Sequence, residues 1–139
     1  MQWIKMLPRT TLLALTLAVA CESSTEPRSR YAGVWEATTF TSTEGSVTTD
    51  QLAQGASLIL VLSASGSVSG VLDMPNDNVN EDMTGTWTLN GSTITFSQSA
   101  DTFVRDMPFT VQNNNTLVGD ATFSGVRVQV TLTRTPPIG

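Results

Sequence analysis

From residue 31 to residue 135 apolar and polar side chains alternate in short runs, separated by Gly, Asn and Ser. A period of two is what a β-strand imposes, because successive side chains point to opposite faces of a sheet. The clearest run is the last, residues 126–134, where Val126, Val128, Val130 and Leu132 alternate with Arg127, Gln129, Thr131 and Thr133. Seven runs precede it: residues 31–41, 57–63, 67–73, 83–89, 92–98, 102–112 and 116–123. Within them Met83, Gly85, Trp87 and Leu89 share a face, as do Phe103, Arg105, Met107, Phe109 and Val111, and Leu117, Gly119, Ala121 and Phe123. Most connections are too short for a helix. Asn90-Gly91 predicts a two-residue type I′ hairpin, and Ser65-Gly66, residues 113–115 and Ser124-Gly125 predict further turns. Strands joined in this way form an up-and-down meander, and eight of them close into an antiparallel barrel without free edges. Residues 42–56 are the exception. There Thr49 or Asp50 is placed to cap a short helix that runs through Gln54 and ends at Gly55, lying over one barrel mouth.

The first thirty residues follow a different pattern. Lys5 and Arg9 precede an apolar run, residues 10–20, and small residues lead to Cys21. The run is short of the ~20 apolar residues that a spanning helix needs, so it reads as a secretory signal. Leu17-Ala18-Val19-Ala20-Cys21 resembles the lipobox of bacterial lipoproteins, with the leucine one place earlier than usual. That resemblance implies cleavage before Cys21, acylation of its thiol and amine, and attachment to a membrane by several acyl chains. Glu22, in place of aspartate, implies the outer membrane of the cell envelope. Residues 21–30 then read as the acylated cysteine and a flexible polar tether, residues 31–135 as the barrel, and residues 136–139 as a tail.

Composition narrows the chemistry. After loss of the signal, five arginines stand against twelve carboxylates, which leaves a charge of −7 and no lysine. Such a surface repels nucleic acid and anionic lipid headgroups. The chain has no histidine and a single cysteine. Ser-His-Asp and Cys-His catalysis, lysine Schiff bases, Ser-Lys dyads and His/Cys zinc sites are therefore excluded; carboxylate-pair chemistry stays open, but no Asp or Glu stands in a recognisable pair on an apolar strand face, so no enzyme or cofactor is expected. Residues 73–82 are rich in Asp and Asn, but they lack the Gly and Glu spacing of a calcium loop and read as a solvated connection.

Gly33-Val34-Trp35 on the first strand resembles the Gly-x-Trp opening of lipocalins and of bacterial lipocalin-like lipoproteins. Gly85-Thr86-Trp87 repeats the step, and Arg134 resembles the last-strand arginine that packs over the first tryptophan. The resemblance implies a small, monomeric lipocalin-like barrel without the C-terminal helix, holding a small hydrophobic or amphiphilic ligand. Arg105, in phase with Phe103, Met107 and Phe109, is the expected ligand anchor, with Trp87 as a further contact. A bulge at Pro108 would instead turn Arg105 outward. Two other roles fit the same pattern: a protein-binding envelope barrel, as in barrel-type protease inhibitors, or a structural barrel without ligand.

Overall fold

The computed structural model of the chain describes residues 26–135; the expected signal, Cys21 and residues 136–139 lie outside the described residues. Ten strand segments form one antiparallel sheet: β1 (Gly33–Glu44), β2 (Val47–Asp50), β3 (Ser57–Leu62), β4 (Ser67–Met74), β5 (Val79–Asp82), β6 (Gly85–Asn90), β7 (Thr93–Gln98), β8 (Phe109–Asn113), β9 (Thr116–Phe123) and β10 (Val126–Thr135). β10 pairs back onto β1 from Val34–Thr135 to Glu44–Val126, which closes an eight-stranded barrel. Segments and strands differ in number for a local reason. Val71 pairs with Asp82 and Val68 with Gly85, one register on both sides of Met83 and Thr84, so β5 and β6 are halves of a single strand. β2 and β3 likewise share one place in the wall, against the far and near halves of β1.

The inward set is the one that the alternation marks. Trp35, Phe40, Leu58, Leu60, Leu62, Leu72, Trp87, Ile94, Phe109, Leu117, Val130 and Leu132 are all buried. Removing such surface from water, at ~25 cal/mol per Å², is the main force that closes the sheet. A bulge between Ala37 and Thr39 shifts the phase on β1, which brings Phe40 inward beside Trp35 and Ala37.

The structure revises the expected connections in three places. The β6–β7 turn centres on Gly91-Ser92, not Asn90-Gly91, because Asn90 still pairs with Thr93. Only Gly91 has positive φ there, the arrangement of a type II′ turn. The type I′ geometry lies instead at Ser124-Gly125, where both residues have positive φ (50° and 85°). Residues 42–56 are not one long connection with a helix. β1 runs on to Glu44, turns at Gly45 and returns as β2. Asp50 Oδ1 then accepts from Ala53 N at 3.2 Å, and Gly55 ends the turn at φ 96°, so the cap and the stop are the expected ones but the turn never extends to a helix. The Asp/Asn-rich segment is a tight hairpin, with a 3-10 turn at Pro75–Asp77 and Asn78 left-handed, between β4 and β5.

The larger corrections concern the two helices. Residues 26–30 are not tether: α1 (Glu26–Arg30) is a helical turn held against the barrel. Residues 102–112 are not one strand: their first half is α2 (Phe103–Asp106) and only Phe109–Asn113 is strand. Thr102 caps α2 by accepting from Val104 N, and Pro108 holds Met107 extended and ends the helix. β7 and β8 consequently pair at two positions only, Thr93–Thr110 and Ile94–Phe109, and α2 completes the wall where the ladder stops.

Candidate functional site

Two tryptophans close the end of the barrel at which β1 begins. Trp35 and Trp87 are fully buried, and each indole N–H donates to a backbone carbonyl at that end, Tyr31 O and Ser63 O, both at 2.9 Å. Each ring carries an arginine. The Arg134 guanidinium lies 5.6 Å from the centroid of Trp35, and that of Arg28 lies 5.8 Å from Trp87. Such contacts contribute ~0.5–1 kcal/mol at partly exposed sites. Arg134 is fixed further by donating Nε to Asn115 Oδ1 (3.0 Å) and Nη1 to Arg30 O (2.6 Å) and Ala32 O (3.1 Å). Gly33 makes room for it: a Cβ there would meet Arg134 Cδ at 3.1 Å, and φ is +139°. Gly33, Trp35 and Arg134 are thus one packing unit, and Gly66, Trp87 and Arg28 form a second. Arg28 has no sequence signal, because it docks from outside the strand pattern.

In the middle of the barrel the side chains meet. A Cβ on Gly119 would lie 2.6 Å from Met107 Cε and 2.9 Å from the Phe109 ring, so these groups occupy the space that the glycine leaves. Phe96 stacks edge-on against Phe109 at 5.5 Å. Phe103 is half-buried against Phe40, ring centroids 5.3 Å apart, and Val104 and Met107 are buried beneath α2. Of the expected ligand contacts, Trp87, Met107 and Phe109 therefore face the interior and Phe103 covers it.

Arg105 does not join them. It sits on the outer side of α2, donating Nη2 to Asp101 Oδ1 at 2.7 Å and Nε to Asp106 Oδ1 at 2.9 Å. The hydrogen bond to Asp106 raises the Arg105 pKa and lowers that of Asp106 below the usual carboxylate range. The strand phase that would have turned Arg105 inward fails because its residues are helical. Arg127 and Asp120 form a second exposed pair at 2.7 Å, with shifts of the same sign and cause.

The interior does contain one polar residue that sequence reasoning passed over. Gln98 is 8% exposed; its Nε2 donates to Met83 O at 2.9 Å, while its Oε1 is buried with no hydrogen-bond partner. Its signal was the simple alternation of β7: Ile94, Phe96 and Gln98 fall on one face. Among the described residues, no group of three Asp, Glu, His or Cys is placed to hold a metal, and no helix is long and apolar enough to cross a membrane. No protein-family model and no curated protein matches the chain.

Proposed function

We propose that this chain is a lipid-anchored, lipocalin-like protein of the cell envelope, held on the outer membrane on its periplasmic or its surface side, that holds one small amphiphile in its barrel. Gln98 carries the reading. A buried acceptor without a partner costs ~1–3 kcal/mol, and an interior ligand with an O–H or N–H recovers it. With Arg105 paired at the surface, the interior holds no cation for a carboxylate anion among the described residues. The ligand is accordingly neutral: a fatty alcohol, an amide or a protonated fatty acid, whose apolar tail takes the space beside Phe96 and Phe109 that the Met107 side chain yields as it swings aside. Met107 suits such a site because an unbranched thioether adapts to what enters. Entry is at α2, the part of the wall held by side chains and not by a continuous strand ladder. The protein acts as a monomer, without cofactor and without catalysis.

Titration of the purified acylated protein with 1-decanol and with decane, followed by tryptophan fluorescence, tests this. Decanol binds in the micromolar range, and Gln98→Leu loses at least tenfold of the preference for the alcohol, about 1.4 kcal/mol. Equal preference in both proteins, or no binding of either probe, rejects the ligand site.

One observation favours a second reading, a protein-binding face. Val34 pairs with Val61 and Ile59 with Val71, and all four lie outward on β1, β3 and β4, about two-fifths exposed. Glu36 and Asp82 flank them, which fits an apolar partner surface with a basic rim.

A further inference from the structure

We infer that the α1 end of the barrel is a membrane-facing base, with Arg28, Arg30 and Arg134 set against the phosphates of anionic lipid headgroups. The inference rests on the proposed acyl anchor at Cys21 and adds the orientation of the barrel to it.

Topology sorts the charges. In an up-and-down barrel alternate connections fall at opposite ends. The three at the α1 end are residues 63–66 between β3 and β4, Gly91-Ser92 between β6 and β7, and Asn114-Asn115 between β8 and β9. They consist of Ser, Ala, Gly and Asn and carry no charge. Arg28, Arg30 and Arg134 all lie there, and none of them is ion-paired among the described residues. Glu22 and Glu26 are the only carboxylates of the segment between Cys21 and the barrel. The opposite end is the reverse. Glu44, Asp50, Asp77, Asp101 and Asp106 sit on or beside its connections, and its two arginines, Arg105 and Arg127, are already neutralised by Asp101, Asp106 and Asp120. Residues 31–133 together hold ten carboxylates and two arginines, a charge of −8; half of those carboxylates are the five just named, while others, Glu36 and Asp82 among them, lie along the wall.

The covalent geometry points the same way. Four residues separate Cys21 from Glu26, so the acylated residue lies within about 17 Å of α1 even with the chain fully extended. The ten residues of β10 span about 33 Å along the strand, so the tether is shorter than the wall. α1 itself is fixed: Arg28 Nη1 donates to Ser65 O at 3.4 Å and its guanidinium covers Trp87, while Arg30 O accepts from Arg134. An anchor this short, on an end that is cationic and hydrogen-bonding, stands the barrel upright with its acidic end outward. An anionic surface repels any tilt that lowers that end.

The test uses the full mature protein in vesicles of phosphatidylcholine with about 30% phosphatidylglycerol. Cys21 is the sole cysteine, so Asn114→Cys or Ser46→Cys supplies one free thiol, at the α1 end or the opposite end. Each carries a donor dye, and a headgroup-labelled lipid is the acceptor. Transfer from position 114 exceeds that from position 46 at least twofold, and the contrast shrinks with Arg30→Glu or when salt shortens the Debye length to a few ångströms. Equal or reversed transfer, or a contrast that neither change affects, overturns the proposal. Vesicle flotation and the intact mass of the Cys21 peptide are read in parallel. A protein that neither floats nor carries acyl mass disproves the anchor itself, and the orientation with it. One that floats with equal transfer disproves the orientation alone.

Discussion

Gly119→Ala tests how the barrel interior is filled. The added Cβ would stand 2.6 Å from Met107 Cε and 2.9 and 3.1 Å from two carbons of the Phe109 ring. The methionine tail can swing away at little cost. The ring cannot: Phe109 is fully buried and braced edge-on by Phe96 at 5.5 Å. Overpacking of this kind costs ~1–3 kcal/mol. At ~4–8 °C per kcal/mol for a domain near 100 residues, the melting temperature falls by about 10 °C. Elsewhere in a strand the same change stabilises by roughly 0.5–1 kcal/mol, because alanine has less backbone freedom to lose. The sign of the effect is therefore diagnostic. Urea unfolding of wild type, Gly119→Ala, Met107→Ala and the double variant measures it. In the Met107→Ala background the new methyl enters vacated space, and the two changes couple by at least ~0.5 kcal/mol. A Gly119→Ala protein as stable as wild type or more so, with no coupling, would refute the packing described for this region.

Two further expectations follow from particular residues. Ser124 holds a left-handed φ of 50° in the first position of a type I′ turn, where asparagine is favoured, so Ser124→Asn raises the urea midpoint by roughly 0.5 kcal/mol of stability, and a fall in the midpoint contradicts the turn assignment. Stability is flat between about pH 5 and 8, since the chain has no histidine. Asp106 and Asp120 have folded pKa values below 3.8; their contribution is complete above that value and is lost as pH falls through the folded values, so unfolding midpoints drop only in strong acid, and a transition near neutrality would contradict it.

Alternation along the chain determined most of the fold, because a period of two specifies which face is buried whatever the partner strand is. The limits of β9, the inward set of β10 and the closed eight-stranded meander follow from it. The contact of Arg134 with Trp35 was expected only from the resemblance of the Gly-x-Trp step; the structure supplies its reason, since Gly33 leaves room for the arginine to cross the ring. Where local hydrogen bonding competed with the period, tertiary structure decided. Thr102 and Pro108 bracket a helical turn inside an apparently regular strand, and that turn took Arg105 out of the barrel and onto Asp101 and Asp106. Hairpin register decided that Gly91-Ser92, and not Asn90-Gly91, makes its turn, because pairing of Asn90 with Thr93 extends the ladder by one residue. Gln98 lay in phase with Ile94 and Phe96, but only the assembled core shows that its amide oxygen has no partner. The docking of Arg28 on Trp87 and the separation of charge between the two ends have no local signature at all. Both arise when closure of β1 on β10 brings distant residues to a common rim, and no period along the chain encodes that meeting.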